Sequence, residues 1–130
     1  MCAGAGGHTG WLSNVAFIEA VRGFFDGPIA VGGGICTGSG VAAVEAMGAD
    51  LAYLGTTFIA AEESLAHADY KTMVVEAQST DLVVSACVTG VPASWLRPSL
   101  EKAGLDPDNL PQARPTNFSD PEQSLKGWKD

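Results

Sequence analysis

The fold class of this 130-residue chain is decided by residues 27–57, which read GPIAVGGGICTGSGVAAVEAMGADLAYLGTT. Two short apolar runs in this stretch, at 29–31 and 51–54, are typical of strands that are buried on both faces of a sheet. Between them, apolar residues from Val41 to Met47 recur at a helical spacing, and Gly48 is placed to end that helix. A strand, a helix and a strand joined by short glycine turns predict an α/β fold with a parallel sheet.

The sequence on either side continues the alternation of helices with strands. Apolar residues at a helical spacing predict a helix over 14–25, with Ser13 or Asn14 as its N-cap. The same period predicts a further helix over 68–78. Because both predicted strands are brief, the pattern is typical of a (β/α)8 barrel.

The pattern changes after this point in the chain. Residues 82–88 are typical of a strand, and a final helix is predicted over 93–103. Thirteen of the sixteen glycines lie in the first 55 residues, whereas six of the seven prolines follow residue 90. We therefore divide the chain into residues 1–80, with the glycine-rich loops, and residues 81–130, a strand-helix extension with a proline-rich tail.

Composition and charge exclude several classes of protein. The chain is 46% hydrophobic and 17% charged, which is a globular rather than a disordered composition. No apolar run approaches the ~18 residues that a membrane-spanning helix needs. The net charge of −8 disfavours nucleic acid and anionic lipid as partners. Three widely spaced cysteines show no metal-ligand spacing, so we expect no metal site and a reducing, cytoplasmic location.

The glycine loop at residues 3–10 predicts that the chain is part of a larger protein. In a βα unit such a loop follows a strand, and no strand precedes this one. Two parallel strands also leave backbone groups unpaired at both edges of their sheet. At a typical barrel size of ~250 residues, we expect about half of the fold to be missing.

Two strand-end loops have the composition of a phosphate site. In the first, adjacent glycines that include Gly33 and Gly34 allow several N–H groups to point the same way, and a helix N-terminus follows. The second loop repeats the arrangement at Tyr53, Leu54, Gly55 and Thr56. Barrels of this class commonly hold phosphate on the loops after their last two strands. The alternative is that both loops are only tight packing turns.

His8 is the candidate for proton transfer. Glycines on both sides of it allow a ligand to approach closely, and an imidazole exchanges protons near neutral pH. The alternative is a solvated loop histidine. We interpret His67, Cys36 and the tryptophans as structural residues, and Arg97 as a helix cap rather than an anion ligand.

Three segments together resemble the nitronate monooxygenase family, formerly called 2-nitropropane dioxygenase. They are AGAGGHTG at 3–10, GPIAVGGGICTGSGVAAVEAMGADLAYLGTTFIA at 27–60 and VTGVPASWLRPSLEKAGLDPDNLP at 88–111. The second segment alone is similar to other phosphate-binding barrels, including inosine-monophosphate dehydrogenases, whereas its combination with the GGH loop is more specific. The third segment separates this family from those.

The resemblance implies the C-terminal portion of an FMN-binding (β/α)8 TIM barrel with a C-terminal extension. It implies that Gly6 contacts the flavin and that FMN phosphate lies on the two loops, at Gly33, Gly34, Tyr53, Leu54, Gly55 and Thr56. His8 matches the catalytic histidine, which would accept the α-proton of a nitroalkane or orient a nitronate. The implied reaction uses O2 and yields a carbonyl compound and nitrite. A homo-oligomer is compatible with this family.

One position departs from the family pattern. The family usually has GTRF where this chain has Gly55-Thr56-Thr57-Phe58, so the loss of an arginine puts phosphate binding or specificity in doubt. Two alternative functions remain open. One is a flavin-dependent enoyl-thioester or quinone reductase of the same superfamily. The other is a non-catalytic barrel fragment that binds a partner chain, and we expect the isolated chain to be inactive.

Overall fold

The computed structural model describes residues 1–113, so the predictions for Trp128 and most of the proline-rich tail lie outside the described residues. The described part contains two small sheets. One is a parallel pair flanked by helices, and the other is a three-stranded antiparallel sheet. No closed barrel is present in this part of the chain.

The parallel pair confirms the prediction from residues 27–57. Strand β2 (Ala30–Gly32) pairs in parallel with strand β3 (Leu51–Tyr53), with Val31 opposite Ala52. Helix α1 (Asn14–Arg22) precedes β2 and helix α2 (Gly38–Ala46) connects the two strands, as in a βαβ unit.

The ends of these two helices follow ordinary capping chemistry. Ser13 is the N-cap of α1, because its side chain accepts a hydrogen bond from the amide of Ala16. Gly48 follows the C-cap of α2 with a φ of 105°, the left-handed conformation that commonly ends a helix. Helix α1 ends at Arg22 rather than near residue 25.

Two apolar clusters hold the described residues together. The larger joins the N-terminal segment to α1, β2 and α2 through Cys2, Ile18, Val31, Ile35, Val44 and Ala49. Burial raises the pKa of the Cys2 thiol, which therefore stays neutral in this core. The smaller cluster contains Ala93, Trp95 and Leu100.

The antiparallel sheet has the strand order β1-β5-β4. It consists of β1 (Gly7–His8), β4 (Leu82–Ser85) and β5 (Ala93–Leu96). The pairing of His8 with Ala93 joins the glycine loop to the C-terminal extension. Part of the first glycine loop is thus a strand, which the sequence pattern did not predict.

The prediction of a single helix over 93–103 was wrong. Residues Ala93–Leu96 form β5, and only Arg97–Lys102 form helix α5. The physical reason is Pro98, which lacks the N–H that a helix interior requires but is tolerated in a first turn. A helix that contains Pro98 must therefore start close to it, which leaves residues 93–96 to pair with β4.

Two helices and a turn lie between β3 and β4 along the chain. Helix α3 (Thr56–Ile59) follows β3, and helix α4 (Ala68–Glu76) confirms the prediction over 68–78. A 3₁₀ turn at Ser79–Asp81 leads into β4. Strand β4 ends at Ser85, earlier than predicted, because the Ser85 hydroxyl accepts a hydrogen bond from the Cys87 amide and closes a turn. Within residues 1–113, no helix combines the length and apolar character needed to cross a bilayer.

Arg22 connects the segments that lead into β2 and β3. The Arg22 guanidinium donates to the carbonyl oxygens of Gly48 and Gly27, at 2.7 Å each, and to Asp50 at 2.6 Å. Asp50 also accepts the Ile29 amide at 2.8 Å. The Arg22–Asp50 ion pair and the hydrogen bonds around it therefore connect α1, the end of α2 and the starts of both strands.

This network predicts an acid-sensitive contribution to stability. The Ile29 amide first, and Arg22 second, hold the pKa of Asp50 below its ordinary value of 3.8. The contribution is therefore complete above the unfolded-state pKa and is lost as pH falls through the lowered folded-state pKa. We expect Asp50→Asn to lower the free energy of unfolding at pH 7 and to flatten its dependence on pH in the acid range.

Urea unfolding between pH 2 and pH 7 measures this effect. Asp26→Asn is the matched control, because Asp26 is exposed and makes no ion pair among residues 1–113. Parallel stability profiles for wild type and Asp50→Asn would contradict the expectation.

Candidate functional site

Two glycine loops meet backbone to backbone at the carboxyl end of β2. The Cys2 amide donates to the Gly32 carbonyl at 2.7 Å, and the Gly34 amide donates to the Gly4 carbonyl at 2.8 Å. Between these bonds, Gly33 has a φ of 127°, and a Cβ there would lie 2.8 Å from the Cys2 carbonyl oxygen. Only glycine allows this approach, so the close contact explains the glycine at position 33.

A cavity of about 710 Å³ opens beside this contact. Its volume is in the range of sites for cofactors and drug-sized ligands. All the residues that the sequence assigned to the site line it, namely Gly6, His8, Gly33, Gly34, Tyr53, Leu54, Gly55 and Thr56. The structure thus brings these residues together, while their roles stay predictions.

The described lining of the cavity carries no aspartate, glutamate, lysine or arginine. This is notable in a chain with fifteen acidic side chains and a net charge of −8. An anion inside the cavity would therefore meet no carboxylate in its described wall. Its binding would depend on backbone amides and hydroxyls rather than on a basic side chain.

The amides of the first loop differ in their availability. The Gly34 amide is already bonded to Gly4, so it is not open to a ligand in this arrangement. Ile35 and Cys36 also line the cavity, and their amides have no hydrogen-bond partner within residues 1–113. The lining stops at Cys36, one residue before Thr37, the N-cap of α2. The loop rather than the helix start thus faces the cavity.

The second loop offers open backbone on the adjacent wall. A Cβ built at Gly55 meets no atom within 4 Å. Gly55 is the N-cap of α3, and no side chain caps this helix start by a hydrogen bond. Thr56 adds a hydroxyl to the same wall. The two loops therefore present amides and one hydroxyl from neighbouring parallel strands.

His8 reaches the cavity from the other sheet. It lies in β1, and its backbone is held opposite Ala93 of β5. Its side chain is exposed and lines the cavity. The antiparallel sheet therefore fixes the backbone of His8 relative to the glycine loops, a relation that no sequence spacing encodes.

Sequence reasoning missed two groups of residues at the site. Asn14 donates from Nδ2 to the Gly33 carbonyl at 2.9 Å, although its sequence position suggested only a helix cap. The other group forms the far wall of the cavity and comes from α4 to β4: Val74, Ala77, Gln78, Ser79 and Leu82. No motif marks this second group, because only tertiary packing brings residues 74–82 to the cavity.

The remaining candidates have other surroundings. Cys36 and Trp11 were interpreted as packing residues, but both are exposed in the described structure, whereas Trp95 is buried. His67 caps α4 by accepting the Asp69 amide. Arg97 donates both of its terminal nitrogens to Asp108 at 3.0 Å, which lowers the pKa of that carboxyl group. No group of three or more metal-ligating side chains occurs within the described ranges.

Comparisons with known proteins give a consistent result. The family model described as nitronate monooxygenase matches residues 3–114. The nitronate monooxygenase of Paraburkholderia phytofirmans is 30% identical over 112 residues, which cover 79% of this chain and 31% of that protein.

Two solved structures of TIM-barrel enzymes are also similar. FabK of Thermotoga maritima gives a TM-score of 0.68 at 36% identity, over 78% of this chain and 33% of its own. The nitroalkane oxidase of Streptomyces ansochromogenes gives a TM-score of 0.64 at 34% identity, over 72% of this chain and 31% of its own. The chain spans about a third of the length of these proteins.

The contact between the loops predicts that Gly33→Ala is destabilising. A side chain at this φ costs on the order of 1–3 kcal/mol, and the close Cys2 carbonyl adds to that cost. We expect a loss of at least this size in the free energy of unfolding, measured by urea denaturation at pH 7. Gly38→Ala is the control, since a Cβ at Gly38 meets nothing within 4 Å. Equal stability of the two variants would show that the loops do not meet as described.

Proposed function

The chain belongs to the nitronate monooxygenase family, and we propose that it supplies the phosphate seat and the catalytic histidine of an FMN-dependent oxidoreductase. The proposed reaction oxidises a nitronate or nitroalkane with O2 to a carbonyl compound and nitrite. Because the chain spans about a third of its relatives, the activity of the whole enzyme belongs to the proposal as well. So does a cytoplasmic location, which suits cysteines that form no disulfide within residues 1–113.

The single observation that carries the proposal is a cavity whose described wall is free of carboxylates and holds open backbone amides. The first loop offers the Ile35 and Cys36 amides, and the second offers the backbone of Gly55 and the hydroxyl of Thr56. In an acidic protein, a wall of this kind favours an anionic group beside the two loops. FMN phosphate fits such a seat without lysine or arginine.

The remaining walls suit the flavin ring. Gly6 lies on the loop next to His8, and the opposite wall is largely apolar, with Val74 and Leu82. Bound FMN would supply the redox chemistry between the nitronate and O2. The protein would supply position and exclude water from the reacting atoms.

His8 is the proposed base. Its imidazole would accept the proton that a nitroalkane loses from its α-carbon, and the same position would let it orient a nitronate that is already ionised. Its placement on β1, across from Ala93, supports this role because the paired backbone holds His8 at the cavity lining.

Thr57, where the family usually has arginine, leaves the phosphate seat dependent on backbone groups.

A flavin-dependent enoyl-thioester or quinone reductase is the second candidate. The likeness to FabK supports it in part. The two candidates share the flavin seat and differ in the electron donor. Rapid reduction of the flavin by NAD(P)H in stopped-flow absorbance would favour the reductase, and indifference to NAD(P)H would favour the nitronate-oxidising enzyme.

The role of His8 is tested in a chimera. Residues 3–114 of this chain would replace the matching segment of the Paraburkholderia nitronate monooxygenase, which restores a complete barrel around them. We expect His8→Ala to reduce kcat/KM for a neutral nitroalkane by about 10²–10⁴-fold, the usual contribution of a general base. The loss should be much smaller for a pre-ionised nitronate, which has no proton to give.

Oxygen consumption and nitrite release measure both reactions. His67→Ala is the matched control, because His67 is exposed and caps α4 away from the cavity. A chimera that binds FMN but turns over nitroalkane equally well with and without His8 would refute its role as base.

A further inference from the structure

We propose that Asn14 is a positioning residue that fixes the turn at residues 32–34 and, through it, the amides of Ile35 and Cys36 that are proposed to bind the phosphate. It does so through its amide group and without touching the ligand. This inference rests on the proposed function, since it concerns how the same seat selects a phosphate. No sequence motif assigns Asn14 to the site.

Asn14 clamps one peptide unit of the turn in combination with the first glycine loop. The peptide between Gly33 and Gly34 is bonded at both ends: its carbonyl accepts Asn14 Nδ2 at 2.9 Å, and its N–H donates to the Gly4 carbonyl at 2.8 Å. Both glycines have positive φ, 127° at Gly33 and 66° at Gly34. Because glycine peptides rotate easily, two bonds at opposite ends are needed to hold one orientation.

The clamped peptide sets the direction of the open amides. Ile35 and Cys36, whose amides have no partner within the described residues, follow directly in the chain and line the cavity. A rotation of the preceding peptide would change the direction of their N–H groups. Asn14 would therefore influence a phosphate bound there without contacting it.

Helix capping does not account for Asn14. Ser13 already provides the N-cap, through its bond to the Ala16 amide. Moreover, Oδ1 of Asn14 is buried and has no hydrogen-bond partner within residues 1–113. A buried acceptor without a donor costs about 1–3 kcal/mol, so stability alone would favour a different residue here.

The test compares two ligands that differ only in the phosphate. FMN and riboflavin are titrated against the full chain, and Kd is measured by quenching of flavin fluorescence. Wild type should bind FMN more tightly than riboflavin. We expect Asn14→Ala to weaken the binding of FMN by about tenfold and that of riboflavin by less than about twofold. One positioned hydrogen bond changes an affinity by roughly tenfold.

Two further variants make the result specific. Ser13→Ala removes the cap of the same helix but leaves the bond to Gly33, so its preference for FMN should match wild type. Asn14→Asp keeps the shape of the side chain but cannot donate to the Gly33 carbonyl, and it should lose the preference as well. Circular dichroism checks that each variant is folded. If Asn14→Ala does not fold, the ligand preference of Asn14→Asp provides the test.

The outcomes separate the inference from the function on which it rests. If wild type binds FMN and riboflavin equally, the phosphate seat itself is refuted, and the inference with it. If wild type prefers FMN and the folded Asn14 variants keep that preference, only the positioning role is refuted. Equal weakening of both ligands, or unfolding of both variants, would assign Asn14 a purely structural role and overturn the proposal.

Discussion

The close contact between two backbone segments, residues 2–4 and residues 32–34, is the constraint on which the rest of this structure depends. Two hydrogen bonds, from Cys2 to Gly32 and from Gly34 to Gly4, bring main chain against main chain. A side chain at Gly33 would collide with the Cys2 carbonyl. The absence of a Cβ therefore allows the N-terminal loop to lie on the carboxyl end of β2, and the cavity forms beside that junction.

The cavity lies where the two small sheets contribute different chemistry. The parallel pair provides glycine loops with backbone donors, whereas the antiparallel sheet holds the backbone of His8 at the cavity. Membership of the nitronate monooxygenase family gives this division a functional meaning, because an anion seat and a proton acceptor are both required in the proposed reaction. Because the two lie on different sheets, a mutation can affect the anion seat without affecting the proton acceptor, and the reverse.

Charge is distributed to suit this arrangement. Acidic side chains dominate the sequence, yet none lies in the described wall of the cavity. Where carboxylates have a clear role they are paired, as Asp50 is with Arg22 and Asp108 is with Arg97. These pairs lie outside the described lining of the cavity, so an anion there would meet backbone amides and hydroxyls rather than carboxylates.

The sequence by itself predicted the parallel unit and eight residues that line one cavity. Helical spacing, glycine turns and Gly48 located β2, α2 and β3, and the loop motifs selected the residues that line the cavity, because these signals are local. The β1–β5 pairing, the wall that contains Gln78 and the bond from Asn14 to Gly33 depend on residues far apart in the chain. Only tertiary packing could decide them, since a hydrogen bond across nineteen residues leaves no periodic trace in a sequence.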